Sequence, residues 1–85
     1  MTWKTSWTTR ALKDMDRLDI QGRERIFHTI DRVAETGHGD LKRLKGPRKQ
    51  LRIRVGDLRV FINFEQDAGI MRILRVLHRR EAYRD

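Results

Sequence analysis

Arginines alternate with apolar residues on both sides of a Gly-Asp pair in the second half of the chain, over residues 51–61. In a β-strand, residues two apart share a face, so Arg52 and Arg54 point one way and the apolar residues between them point the other. A two-residue hairpin loop at Gly56-Asp57 then places Arg54 directly opposite Arg59. Like charges that face each other across a strand pair are destabilising, so this pattern favours a site that binds an anion.

The alternative interpretation of these arginines is a solvated outer face, which antiparallel sheets commonly have. Such faces more often mix lysine with glutamate than carry arginine alone. The planar guanidinium suits bidentate recognition of a phosphate or carboxylate and stays charged when partly buried. We therefore favour phosphate or carboxylate binding.

A second group of candidate residues follows the last apolar segment of the chain. It comprises His78, Arg79, Arg80 and Tyr83. A frayed basic terminus would explain these residues without a function. However, a tyrosine beside basic residues also offers a surface on which an unpaired nucleobase stacks, as is usual for single-stranded RNA.

The distribution of charge limits the classes of function. Residues 1–41 carry equal numbers of acidic and basic side chains, so the net charge of +8 comes entirely from residues 42–85. A basic protein of this kind attracts polyanions such as nucleic acid. The absence of cysteine excludes a disulfide scaffold and a Cys-based zinc site, and we predict no metal and no cofactor. No secretory signal and no apolar stretch of about 20 residues is present, so we expect one cytoplasmic domain over 1–85 without a membrane segment.

The first half of the chain shows the spacing of a strand and two helices. Trp3, Thr5 and Trp7 alternate with polar residues, and Thr8 or Thr9 is a suitable helix N-cap. Asp19 offers a second N-cap before an amphipathic stretch that Gly37 ends. We therefore predict one strand followed by a helical hairpin.

The second half reads as a basic connector followed by three strands. The connector spans 38–49, the hairpin strands meet at Gly56-Asp57 and the second runs to about Phe64, and the last strand spans 70–77. Helical spacing also fits this last segment, but its β-branched content favours a strand. The order β-α-α-β-β-β predicts an α+β fold, an antiparallel sheet of about four strands packed on the helical hairpin.

Three segments together resemble the RelE/ParE toxin superfamily of type II toxin–antitoxin systems, and in particular its RelE-like branch. They are Leu44-Lys45-Gly46, the arginine-rich hairpin over 51–60, and Val76-Leu77-His78-Arg79-Arg80-Glu81-Ala82-Tyr83-Arg84. Arg10-Ala11-Leu12-Lys13 and Leu18-Asp19 resemble the first helix of that superfamily and the link after it. The resemblance covers essentially the whole chain and implies a fold like that of microbial ribonucleases.

The resemblance to RelE-like toxins implies an enzyme that cleaves mRNA in the ribosomal A site and thereby inhibits translation. Its implied partners are the ribosome, mRNA and a cognate acidic antitoxin, with which it forms a toxin–antitoxin hetero-oligomer. Members of the ParE-like branch share the fold but inhibit DNA gyrase, usually with fewer of the basic residues. That alternative stays open, as does a non-catalytic RNA-binding domain.

Carried over residue by residue, the resemblance assigns catalytic roles to the arginine hairpin and the tail: Arg52, Arg54, Arg59, Arg79 or Arg80, and Tyr83. The basic connector supplies the RNA-binding candidates, namely Lys42, Arg43, Lys45, Arg48 and Lys49.

The general base is not identified by these residues. Attack by the RNA 2′-hydroxyl needs a base, positive charge on the phosphate and an acid for the departing 5′-oxygen. RelE enzymes have lysines where this chain has Arg52 and Arg54, and an arginine hardly releases its proton. Histidine is the residue type whose side chain ordinarily exchanges a proton near neutral pH, so His78 is the candidate base, or else a structural histidine. Tyr83 is a stacking or proton-transfer group.

Overall fold

The computed structural model describes residues 2–46 and 50–82. Within them the chain forms five strands and three helices. In chain order these are β1 (Lys4–Trp7), α1 (Thr9–Asp16), α2 (Ile20–Thr36), β2 (Leu41–Arg43), β3 (Gln50–Val55), β4 (Leu58–Glu65), β5 (Ile70–His78) and α3 (Arg79–Ala82).

The helices α1 and α2 begin where their capping residues predict, and α2 also ends at its predicted glycine. The Thr8 hydroxyl accepts a hydrogen bond from the Ala11 N–H at 3.1 Å, and the Asp19 carboxylate accepts one from the Gly22 N–H at 2.7 Å. These bonds satisfy N–H groups that have no partner within a first helical turn. Gly37 ends α2 with a φ of 73°, a left-handed conformation that glycine adopts without steric cost.

The strands form one mixed sheet in the order β1-β5-β4-β3-β2. The α+β class is confirmed, but the sheet has five strands rather than about four and is not wholly antiparallel. Part of the predicted connector forms β2, whose three residues are too few to show an alternating pattern. β1 runs parallel to β5 because the helical hairpin carries the chain away from β1, and only the last strand returns beside it.

The hairpin between β3 and β4 has the predicted register. Val55 pairs with Leu58 and Arg54 pairs with Arg59, so Gly56 and Asp57 form the two-residue loop. Gly56 has a φ of 58°, as the tight hairpin turns require at their first central residue.

The last strand contains an irregularity that explains its ambiguous sequence pattern. Phe61 pairs with Arg75 but the next residue, Ile62, pairs with Ile73, so Leu74 is an extra residue in the ladder. Such a β-bulge shifts the alternation of side chains by one position. The helix-like spacing of the apolar residues in this segment is therefore the signature of a bulged strand.

The hydrophobic core lies between α2 and one face of the sheet. Its fully buried side chains are Ile26, Ile30, Val33, Ile53, Val60, Ile62, Met71 and Ile73. We call the face of the sheet that packs against α2, and that carries the strand residues of this core, the inner face. The opposite face is the outer face. None of the helices in the described part of the chain is long and apolar enough to cross a membrane.

Candidate active site

Basic side chains are gathered on the outer face of the sheet by strand register. Residues directly opposite each other in neighbouring strands share a face. One row across the sheet contains Lys42, Arg52, Phe61 and Arg75, and the next contains Arg54, Arg59 and Leu77. The structure therefore brings together Arg52, Arg54 and Arg59, and adds Lys42 from the connector.

Arg59 is the most unusual of these residues because its charged side chain is buried. It is 8% exposed, and its Nη1 donates to the carbonyl oxygens of Gly56 at 2.8 Å and of Leu58 at 2.9 Å. Among the residues that the structure describes, no carboxylate forms an ion pair with Arg59, and its Nε has no hydrogen-bond partner. Burying a cation without a counterion costs several kcal/mol, and the hairpin holds this one in a fixed position.

Arg54 faces Arg59 in the ladder but has a carboxylate of its own. Its Nε donates to Asp40 Oδ2 at 2.7 Å, and its backbone N–H donates to the Asp40 carbonyl oxygen at 3.0 Å. The pair is exposed, with the two side chains 55% and 47% accessible. Asp40 therefore offsets part of the repulsion between the facing arginines, while Arg54 stays within reach of solvent.

Arg75 is anchored to the first helix rather than directed at the centre of the outer face. Its Nε donates to Asp14 Oδ2 at 2.8 Å and its Nη2 donates to Asp14 Oδ1 at 3.2 Å. The Val76 N–H also donates to Asp14 Oδ2, at 2.9 Å. Burial acts to raise the pKa of Asp14, but the hydrogen bonds from Arg75 and Val76 outweigh it and hold this pKa below its usual value. The same bond to Asp14 raises the pKa of Arg75 further above neutrality.

A second ion pair lies at the far end of the outer face. Arg72 donates from Nε and Nη2 to the two carboxylate oxygens of Glu65, at 2.9 and 3.0 Å. This bidentate bond lowers the pKa of Glu65 and raises that of Arg72. Both arginines that the sequence analysis left unassigned on β5 are thus neutralised by carboxylates of the chain itself.

His78 lies on the inner face and not beside the arginines. It pairs with Leu58, which packs against the core, and it borders a cleft with Arg17 and Leu18 of the link between α1 and α2. Its Nδ1 accepts a hydrogen bond from the Arg80 N–H at 3.4 Å. The sheet therefore separates the predicted proton-transfer histidine from Arg52, Arg54 and Arg59.

The predicted tail residues lie at the hairpin end of the sheet. The Arg79 N–H donates to the Asp57 carbonyl oxygen at 2.7 Å, and its Nε lies 3.8 Å from Asp57 Oδ1. Arg80 is exposed on α3. Tyr83 lies outside the described residues, so its predicted role stays a prediction.

The connector residues do not all share the arginine face. Lys42 pairs with Arg52 on the outer face, whereas Arg43 pairs with Leu51 and lines a cleft on the other side. Lys45 is exposed after β2. Arg48 and Lys49 lie outside the described residues.

Sequence reasoning missed three residues that shape this surface: Asp14, Asp40 and Phe61. One signal was available for Asp14, which lies three residues after Ala11 and one before Met15 and so falls on the apolar stripe of α1. An acidic residue on a buried helical stripe requires a partner. No local pattern indicates that the partner is Arg75.

Comparison with known proteins identifies the family of the chain. The model of the family described as ParE toxin of the type II toxin–antitoxin system, parDE, matches residues 5–83. A comparison with curated protein sequences gave no match.

Solved structures of RelE toxins have the same fold. The RelBE2 toxin–antitoxin complex of Mycobacterium tuberculosis matches with a TM-score of 0.82 and 19% identity over 92% of this chain and 99% of that chain. The RelE–RelB complex of Pyrococcus horikoshii gives 0.79 and 21%, covering 93% of this chain and 97% of that one. The RelB–RelE complex of Methanococcus jannaschii gives 0.75 and 28%, covering 91% and 93%.

The predicted superfamily is confirmed, although the matching family model is that of ParE while these three neighbours are RelE toxins in complex with their antitoxins. The chain belongs to the ParE toxin family, within the RelE/ParE superfamily, and is a toxin of a type II toxin–antitoxin system with the fold of RelE.

Proposed function

We propose that this toxin is a metal-independent endoribonuclease that cleaves mRNA in the ribosomal A site and so inhibits translation in the cytoplasm. The observation that supports it most is the buried guanidinium of Arg59, which has no carboxylate partner in the described part of the chain. A fixed, desolvated cation stabilises negative charge far better than a cation in water. It suits the phosphate of the transition state, where charge increases.

In the proposed reaction, the RNA 2′-oxygen forms a bond to phosphorus and the bond from phosphorus to the 5′-oxygen breaks. Arg59, with Arg52 beside it, stabilises the charge on the crowded phosphate without giving up a proton. The 2′-hydroxyl proton passes to a general base, and an acid protonates the departing 5′-oxygen. Because His78 lies on the inner face, we assign proton transfer to Tyr83, the other proton-transfer candidate that the sequence offers.

The proposed partners follow from the charge of the outer face. A cognate acidic antitoxin would neutralise the basic rows and prevent RNA from reaching Arg59. The ribosome would position the mRNA, which lets a small protein act without an extensive substrate-binding surface of its own.

The second candidate function is inhibition of DNA gyrase, and the match of the ParE family model over residues 5–83 favours it. The pairing of Arg54 with Asp40 and of Arg79 with Asp57 also leaves fewer cations for an RNA phosphate. This alternative predicts gyrase-trapped DNA breaks and filamentous cells rather than cleaved mRNA.

The Arg59→Met variant tests the proposal because it removes the charge but keeps most of the side-chain volume. We expect mRNA cleavage to fall by about 10²–10³-fold, as when an electrostatic stabiliser of a transition state is lost. The free energy of unfolding should change little, because the loss of the two hydrogen bonds from Arg59 Nη1 is offset by no longer burying a charge. Primer extension on mRNA after induction measures cleavage at codon positions.

The matched control is Arg32→Ala, which removes an exposed arginine of α2 remote from the outer face. This variant should cleave like the wild type. Full cleavage by Arg59→Met, or absence of codon-positioned cuts with the wild type, would contradict the proposal. Gyrase-trapped breaks in the second case would support the ParE-type function instead.

A further inference from the structure

Phe61 is an aromatic residue on the outer face, in the row of basic residues. Its neighbours along β4, Val60 and Ile62, are both fully buried in the core, so the Phe61 ring projects from the opposite side of the sheet. Across the ladder it pairs with Arg52 on one side and Arg75 on the other. In the ladder, Phe61 therefore lies between two arginines.

The ring of Phe61 lies on the side of the sheet away from the hydrophobic core. It is half-buried and is not among the partly buried residues that pack against the core, and within the described residues no other aromatic ring stacks on it. Phe64, three residues later, shows the contrast: its ring packs against the core and lies 4.6 Å from that of Trp3. A large apolar ring among cations on a sheet face is best explained by a ligand that has both aromatic and anionic groups.

We infer that Phe61 is a stacking platform for an unpaired nucleobase of single-stranded RNA whose phosphate lies at Arg59. This inference rests on the proposed function and deepens it by naming a residue that contacts the substrate. Phe61 and Arg59 are two residues apart on one strand and share a face, about 6.8 Å from each other along β4. A single nucleotide spans such a separation between its phosphate and its base.

Stacking on Phe61 supplies what the arginines cannot. The cations attract any polyanion, whereas an aromatic ring distinguishes an unstacked base from the closed surface of a duplex. The Arg75 guanidinium is bound to Asp14 of α1 rather than left free to compete for the phosphate. In this row of the sheet, the neighbours of Phe61 are therefore Arg75, which Asp14 neutralises, and Arg52, which borders the proposed phosphate site.

The test uses a short single-stranded oligonucleotide that contains 2-aminopurine, whose fluorescence is quenched on stacking. An oligonucleotide of equal charge with an abasic site at that position measures the contribution of the phosphates alone. We compare the wild type with Phe61→Leu, which keeps apolar volume but loses the ring, and with Phe61→Tyr, which keeps the ring. Phe27→Leu is the matched control because Phe27 is an exposed phenylalanine on α2.

The wild type, Phe61→Tyr and Phe27→Leu should quench the probe and bind it at least about 5-fold more tightly than the abasic oligonucleotide. Phe61→Leu should lose both the quenching and this preference while still binding the abasic oligonucleotide like the wild type. Cleavage in a translating extract is measured in parallel. If the wild type does not cleave mRNA in this extract, the proposed nuclease activity is rejected. The quenching measurement would still show whether Phe61 stacks on a base.

Three outcomes would overturn the inference about Phe61. The wild type does not quench the probe, or Phe61→Leu quenches it as well as the wild type does. In the third, Phe61→Leu weakens only the binding of the antitoxin, which would identify Phe61 as an anchor for a protein instead of a nucleobase.

Discussion

The buried ion pair between Asp14 and Arg75 should be a large contributor to the stability of this small protein. The Asp14 side chain is 6% exposed and the Arg75 side chain is 29% exposed. Asp14→Ala leaves two groups without their acceptor, the Arg75 guanidinium and the Val76 N–H. Removing one partner of a buried pair costs about 3–5 kcal/mol. Because Arg75 can regain some water, we expect about 3 kcal/mol.

That loss is a large part of the total, since a domain of this length has a free energy of unfolding of about 4–13 kcal/mol. The melting temperature should fall by about 12–24 °C. Asp14→Asn keeps the shape and one acceptor oxygen for Arg75 Nε and the Val76 N–H, but it loses the negative charge and its amide nitrogen cannot accept from Arg75 Nη2. We therefore expect a smaller loss, about 1.5 kcal/mol. These losses are measured by urea unfolding, with the m-value unchanged. The control is Asp16→Asn, because Asp16 is an exposed carboxylate of the same helix, and it should change the free energy of unfolding by less than about 0.5 kcal/mol.

The pH dependence gives an independent check on Asp14. Its pKa is lower in the folded than in the unfolded protein, so its contribution is complete above the unfolded value and is lost as the pH falls through the folded one. The wild type and Asp14→Asn should therefore converge in stability at acid pH. The reasoning is refuted if Asp14→Ala is no less stable than Asp16→Asn, or if the gap to Asp14→Asn stays constant down to about pH 2.

Two further variants test the turn and the exposed ion pair. Gly56→Ala should lose about 1–2 kcal/mol because its φ of 58° is left-handed. Its new Cβ would lie 2.7 Å from Arg25 Nη2, but this is the end of a flexible side chain that can move aside at little cost. Gly69→Ala, with a φ of 67° and open space around it, should therefore lose a similar amount in the same urea assay. Glu65→Gln should lower the melting temperature far less than loss of the buried pair does, because Glu65 and Arg72 are each about one-third exposed. The small difference in stability between this variant and the wild type should vanish as the pH falls through the lowered pKa of Glu65. A melting temperature for Glu65→Gln as low as that of the buried-pair variant would contradict this expectation.

Local features of the chain could be predicted because their partners are close in sequence. The N-caps at Thr8 and Asp19 need only the N–H groups three residues later. The hairpin register needs only the Gly56-Asp57 loop and the alternation beside it, which together place Arg54 opposite Arg59. The segments that resemble RelE/ParE toxins could likewise be recognised from the sequence, because each is a contiguous run of residues.

The sequence by itself therefore determined the helical hairpin, the arginine hairpin and the superfamily, whereas the tertiary structure decided which side chains share a face and which charges are free. The extra residue Leu74 shifts the alternation of β5, and the final position of that strand puts His78 on the inner face. Asp14 reaches Arg75 across 61 residues of sequence, and β1 finds β5 across the whole domain. Such pairings follow from how the sheet buries its apolar face, which no local pattern encodes. The same packing buries Arg59 where no carboxylate of the described residues pairs with it, and that is the feature on which the proposed function depends.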